Sequence, residues 1–425
     1  MEFLTTGEKV KKLREQLKLK QEDLVSERVT RGLVSMIETG RREVTYKTAV
    51  KLAEKFNEKA EELNIILNID EAYLMRSPKE DAEVYCLNKL KNDDITKNTI
   101  DGIFQVAKEY ELIEVKAKAY SSLGEIYLKE KEFDVACDIY NKAKDIYVSM
   151  NKNEKLGYIY WRLGICSVKD LKCNTAIEYY QLSQYYCSEY NDIETKKSCL
   201  YNLANAYKRL NKIELALETI NNFLLLYNEQ ENLQLYIQAQ GIKANCYEAK
   251  ADYDKAIEIY KSLPSKILNN ENPILGYIYN NLGLNYCHKK DFEESKKYFE
   301  IAEKFRNKYD IINLGATLIE KSDIFLNQNL IDSAIKTIKI GLQYAEKYND
   351  KEYLIKGNYM LADIYKKSND NGNLERVYLE IVELLKDNKN KDKLRSIYDE
   401  LVLIYLNRNE VNTSKKYLLL SINLD

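Results

Sequence analysis

One spacing recurs through most of this chain and limits what it can fold into. Small residues stand at Gly124, Gly164, Ala204, Ala244, Gly283, Ser322 and Ala362, at steps of 39 or 40. Three residues after each comes Tyr127, Ser167, Tyr207, Tyr247, Tyr286, Phe325 or Tyr365, with Ser167 the one departure from an aromatic. Twelve after each small residue comes Ala136, Ala176, Ala216, Ala256, Ser295, Ala334 or Leu374, and a bulky residue follows four later. Those knobs are Tyr140, Tyr180, Ile220, Tyr260, Phe299, Ile338 and Tyr378. Residues three or four apart share one face of a helix, and a small residue lets two helix backbones approach closely. A fixed period with fixed inner spacing marks a solenoid of helix pairs.

The small-large pattern resembles the tetratricopeptide (TPR) repeat. That resemblance implies an all-α chain whose array is a right-handed superhelical solenoid, here about nine helix pairs over residues 79–425. A degenerate pair is expected between Asp81 and Glu111. The last unit keeps Tyr405 and Leu418 but has Val402 and Ser414 at its small positions, as a capping unit does. The period exceeds the standard TPR length, and the added residues fall after the second knob (Ile146 to Lys155), which predicts longer helices.

Composition agrees with a helical array and excludes several kinds of chemistry. Only three prolines and 14 glycines punctuate 425 residues, which favours long helices over a β architecture. Charged residues make up 31% of the chain at a net charge of -2, so the two signs are interspersed, as on solvated helix faces. No apolar run of about 18 residues and no signal pattern occurs, so a cytoplasmic protein without a membrane partner is expected. The eight cysteines form no C-x-x-C pair and read as reduced core thiols. With His288 the single histidine, neither His-based catalysis nor a metal site is expected. Phosphate-loop, H-E-x-x-H and G-x-S-x-G patterns are absent, so no enzyme and no cofactor are expected.

The first 66 residues follow another logic. Thr5-x-x-Glu8 is a capping box opening a helix with Val10, Leu13 and Leu17 inward. A short second helix is expected from Gln21, with Leu24 and Val25 inward, then a turn at Arg28-Val29. A third helix starts at Thr30 with Val34 and Ile37 inward and is stopped by Thr39-Gly40. The fourth runs roughly from Thr45 to Asn57. Residues 58–76 read as helical and apolar again (Leu63, Ile66, Leu67, Ile69, Leu74), and 67–78 as a helical connector ended by Ser77-Pro78.

Gln21-x-x-Leu24, with Glu38-x-Gly40 further on, resembles the Xre-type helix-turn-helix of phage repressors, with the interval one residue short. Basic residues modestly outnumber acidic ones before Lys51. The resemblance implies that Arg31 and Ser35, near the Thr30 start of the third helix, reach base edges of a double-stranded DNA operator. Gln21, Arg28, Arg41 and Arg42 then hold phosphates.

An Xre-type helix-turn-helix followed by long TPR repeats is similar to the RRNPP family, cytoplasmic quorum-sensing regulators of Gram-positive bacteria that bind short imported signalling peptides. Length and repeat number resemble its NprR-type members. The resemblance implies a homodimeric transcription regulator whose peptide sits on the first helices of the repeats. On that face Tyr201, Asn202, Asn205, Lys208 and Arg209 are the first candidates. Equivalent exposed positions are Trp161, Arg162, Asn245, Asn281, Asp363 and Lys366. An Asn carboxamide pairs with both groups of a peptide backbone, and Lys or Arg meets a carboxylate. The alternatives are a scaffold that binds a response regulator or another protein, and a phage lysogeny switch of the same architecture.

Overall fold

The computed structural model describes residues 2–92, 94–169, 172–269, 271–386 and 391–424. Among them every regular element is a helix, and the chain divides into two compact units, Met1–Cys199 and Leu200–Asp425.

The first unit opens with four helices, α1 (Thr6–Gln16), α2 (Arg31–Glu38), α3 (Tyr46–Glu62) and α4 (Glu71–Met75). Thr5 and Glu8 form the expected capping box, and Thr30 caps α2 by accepting from the Leu33 N–H at 3.2 Å. Val10, Leu13, Leu24, Val34, Ile37, Leu52 and Phe56 share one core with Ile69 and Leu74, so the cluster continues into the 67–78 segment. A Cβ on Gly7 would collide with the Ile37 carbonyl, which makes glycine the residue that lets α1 and α2 touch backbone to backbone.

Two expectations about this region are corrected. The stretch from Gln21 is a turn: Asp23 and Val25 N–H donate three residues back, to Lys20 and Glu22, and no α-helical ladder forms. Leu24 points inward, but Val25 is 44% exposed. The expected helical run through residues 58–76 is interrupted as well. The helix α3 passes Asn57 to Glu62, and Asn64, at φ +53°, takes the left-handed conformation that ends it. Residues 65–70 are then irregular, with Ile66 fully exposed, and the Asn57 carboxamide clasps both backbone groups of Ile69 at 2.8 and 3.0 Å.

The helix-turn-helix region is fastened to the first repeat by a buried amine. Lys9 on α1 is 2% exposed and donates to the carbonyls of Tyr73 (2.9 Å) and Arg76 (2.6 Å). It also pairs with Asp81 of α5 (Pro78–Leu90), which Arg76 meets at 2.7 Å. Phe3 packs edge-on against Tyr85 and Tyr110.

After α5 and its partner α6 (Lys97–Glu109), the first unit carries the pairs α7/α8 (Ile113–Lys129, Phe133–Ser149) and α9/α10 (Leu156–Lys169, Cys173–Glu189). The next helix, α11 (Ile193–Arg209), begins in the first unit and runs into the second, where α12 (Ile213–Leu226) follows it. The second unit continues with α13/α14 (Leu233–Ala249, Tyr253–Ser262), α15/α16 (Ile274–His288, Phe292–Tyr309) and α17/α18 (Leu314–Asn327, Ile331–Lys347). It closes with α19/α20 (Lys351–Lys367, Asn371–Leu385) and α21/α22 (Lys391–Asn407, Val411–Ile422). Many of these helices run 17 residues, which accounts for the long period.

The repeat's small residue meets its knob sixteen positions on. A Cβ on Gly124 would stand 2.6 Å from the ring of Tyr140, and one on Gly283 would stand 2.7 Å from Phe299. Tyr140, Tyr180, Tyr260 and Phe299 are accordingly fully buried. Helix ends fall twenty residues apart at Asn191 and Asn211 and again at Asn329, Asn349 and Asn369, and these asparagines, with Asn409, take positive φ. Asn tolerates that conformation better than other residues with a Cβ. All eight cysteines are free and six of them are buried.

Candidate functional site

The first site is the surface around α2. Arg31 opens that helix and is exposed, with Glu22 3.3 Å away and equally exposed, so water already screens the pair. Ser35 is half-buried one turn on, while Arg28, Thr30, Arg41 and Arg42 are exposed. No atom lies within 4 Å of the Cβ position of Gly32, leaving the face beside Arg31 open.

Gln21 stands apart from these residues. Its amide donates to Glu38 at 2.8 Å, and Glu38 receives Arg14 at 2.6 Å. Burial opposes ionisation of Glu38, yet the hydrogen bonds from Arg14 and Gln21 outweigh it and hold the carboxyl below the usual range. The Gln21 amide, expected to hold a phosphate, is thus engaged within the protein, tying the turn to the end of α2 beside Arg14.

The second site lies on the first helices of the repeats in the second unit. Tyr201, Asn205 and Lys208 of α11 line a cleft of about 580 Å³ with Gln234, Gln238 and Asn245 of α13 and Tyr277 of α15. Tyr201 donates to Gln238 at 3.4 Å, and Asn245 accepts from the Tyr260 hydroxyl at 2.7 Å. Burial lowers the pKa of Lys208. Asn202 and Arg209 do not line this cleft. Asn281, expected to be exposed, is 8% exposed, and its amide donates to the Tyr277 carbonyl one turn back at 2.8 Å. Asn205 makes the same bond more loosely, to the Tyr201 carbonyl at 3.4 Å, but is half-buried in the cleft lining, so it is burial that removes Asn281. Asp363 and Lys366 are exposed on α19, where Lys366 meets Glu400 at 2.7 Å.

Trp161 and Arg162 belong to the first unit. Arg162 pairs with Glu125 at 2.7 Å and lies 4.2 Å over the Trp161 ring, and the Tyr140 hydroxyl donates to the same carboxylate at 2.6 Å. The indole N–H of Trp161 is buried without a partner.

Beyond the expected residues, the second unit holds a polar cluster on successive first helices. Glu320 of α17 accepts from Asn280 of α15 (2.6 Å) and from Tyr353 (2.7 Å) and Lys356 (2.8 Å) of α19. Glu248 of α13 accepts from Asn285 at 3.0 Å, with His288 at 3.7 Å. Burial pushes the Glu248 and Asp323 carboxyls up, whereas Lys356 and its neighbours keep Glu320 down despite its burial. Glu248 with His288, and Asn280 with Glu320, are each 40 residues apart, so a search for polar residues at the repeat period would have found them.

This geometry defines a class: a helix-turn-helix head and an array of TPR-like repeats. Comparisons with known proteins bring out the same two parts. Residues 7–64 match the helix-turn-helix domain family, and 117–147, 198–230 and 276–308 match the tetratricopeptide repeat. The chain is 24% identical over 212 residues to the transcriptional activator NprA of Geobacillus stearothermophilus, covering 49% of this chain and 52% of that one. It is 23% identical over 147 residues to outer dynein arm-docking complex subunit 4 of Xenopus laevis, 34% of this chain and 27% of that one. The matched stretch thus spans about half or less of either relative. Among solved structures it is similar to the apo form of the quorum sensor NprR from B. thuringiensis, with a TM-score of 0.52 at 18% identity, covering 81% of this chain and 98% of that one. Aspartyl phosphate phosphatase F from Bacillus subtilis gives 0.50 at 14% identity, over 81% and 92%. At these identities the likeness is one of fold. No described helix is long and apolar enough to cross a membrane.

Proposed function

We propose that this protein is a quorum-sensing transcription regulator, whose α2 surface grips an operator and whose repeat cleft binds a short signalling peptide. The observation that carries the reading is the lining of the cleft: carboxamides from Asn205, Gln234, Gln238 and Asn245 beside Lys208 and two tyrosines. Carboxamides match the alternating donors and acceptors of an extended peptide backbone, whatever its side chains.

Two protomers present two α2 helices to successive major grooves about 34 Å apart. Arg31 and Ser35 read bases there, and Arg28, Arg41 and Arg42 hold phosphates. Peptide in the cleft bridges α11, α13 and α15 and favours one packing of these helices. A tenfold change in operator affinity needs only about 1.4 kcal/mol of differential peptide binding. The test is a gel shift at stated salt with DNA upstream of the gene, with and without the synthetic peptide encoded by a neighbouring short reading frame. A peptide-dependent shift supports the reading; DNA binding indifferent to every such peptide ends it, and the array is then a docking scaffold.

A further inference from the structure

A second cavity, of about 480 Å³, lies in the first unit between α5, α7 and α9, and its lining differs in kind from that of the repeat cleft. Its apolar part is Leu87 and Leu90 of α5, both half-buried, with Ile159 of α9 and Tyr147 of α8, both buried. Three lysines share the lining, Lys91, Lys118 and Lys155, and no carboxylate does. Lys118 is answered by Glu114 at 3.0 Å, and Glu114 also has Lys152 at 3.6 Å. Glu125, beside the lining residue Tyr158, is taken by Arg162 at 2.7 Å. The ammonium groups of Lys91 and Lys155 are exposed and make no ion pair or hydrogen bond among the described residues. Carboxamides, which dominate the repeat cleft, do not line this cavity.

An apolar wall edged by cations suits a molecule with a hydrocarbon body and one anionic end. The body gains by leaving water, and exposed ammoniums meet the charge without being buried themselves. A peptide backbone would leave its donors and acceptors unpaired against the leucines. We propose that this cavity is a second ligand site, which takes a small amphipathic carboxylate, its chain on Leu87, Leu90 and Ile159 and its charge at the lysine rim. The ligand is distinct from the signalling peptide, and the site stands whether or not the peptide reading does. The helix α5 also carries Asp81, which holds Lys9, so an occupant touches the helix to which the head is fastened.

Trp161 is the only tryptophan, and its ring lies 5.8 Å from that of Tyr158, so its fluorescence reports occupancy. The full chain is titrated with octanoate, 1-octanol and acetate, followed by that fluorescence and by calorimetry. Octanoate should bind about fivefold or more above octanol, which lacks the charge, and about a hundredfold above acetate, which lacks the chain. Lys91→Gln combined with Lys155→Gln changes exposed side chains only and should bring octanoate to the level of octanol. Leu90→Asn, with its thermal midpoint checked, should weaken both. Equal binding of octanoate and octanol overturns the inference, because the cations then contribute nothing. Acetate binding as tightly as octanoate, octanoate binding unchanged in these variants, or no saturable binding of octanoate also overturns it.

Discussion

The ring of Tyr140 lies where a side chain at residue 124 would have to go, 2.6 Å from the Cβ position of Gly124. Tyr140 cannot withdraw, because its hydroxyl is tied to Glu125 at 2.6 Å and the residue is fully buried. Gly124→Ala should therefore destabilise by about 1–3 kcal/mol through overpacking. A lowered urea midpoint for the first unit would register it, and adding Tyr140→Leu should recover part of the loss.

Arg31 is 68% exposed at the head of α2, and its ion-pair neighbour Glu22 is nearly as open at 64%. Arg31→Ala should leave the fold intact and lower operator binding about tenfold to a hundredfold if it reads a base. Competition with unrelated DNA separates the outcomes, because loss of a phosphate contact weakens both DNAs alike. Peptide affinity, measured by calorimetry, should not change.

How much of this was legible beforehand follows from what each signal reports. The repeat spacing reported helix pairs correctly because burial imposes it at every turn of the array, as at Gly283 against Phe299. It was silent on Gly7, since one backbone contact between α1 and α2 leaves no period to detect. Val25 and Ile66 misled for a related reason: an apolar residue in a short segment has no ladder to fix its facing, and both ended in solvent. In the cleft, Asn205 and Lys208 were reachable from helical phase, but Asn281 was not, because phase does not reveal that its neighbours bury it to 8% exposure.

Acid should loosen the head through Glu38. Its carboxyl ionises below the ordinary value of 4.5, burial being outweighed by the bonds from Arg14 and Gln21. A depressed folded pKa means stability that is complete above the unfolded value and is lost as pH falls through the folded one. Hydrogen exchange in α1–α3 should accelerate as pH drops below 4.5, after correction for intrinsic rates, and Glu38→Gln should flatten that dependence.

Asp323 has the opposite sign. Burial raises its pKa above the ordinary 3.8, with Glu320 adding to the rise and Lys356 and His288 opposing it. A raised carboxyl favours the protonated form in the folded state, so this residue's contribution to stability declines as pH climbs from 3.8 through the folded value. Asp323→Asn should raise the thermal midpoint of the second unit at neutral pH and remove that decline, as read by calorimetric scans across pH.

The amine of Lys9 leaves the reading head no slack. It is held by two carbonyls of the segment that leads out of the head and by a carboxylate on the first repeat helix, with Lys9 itself only 2% exposed. A joint of that kind transmits torque. Whatever tilts the Pro78–Leu90 helix turns the Thr6–Gln16 helix with it, and through the backbone contact at Gly7 the turn is handed on to the helix proposed to meet DNA.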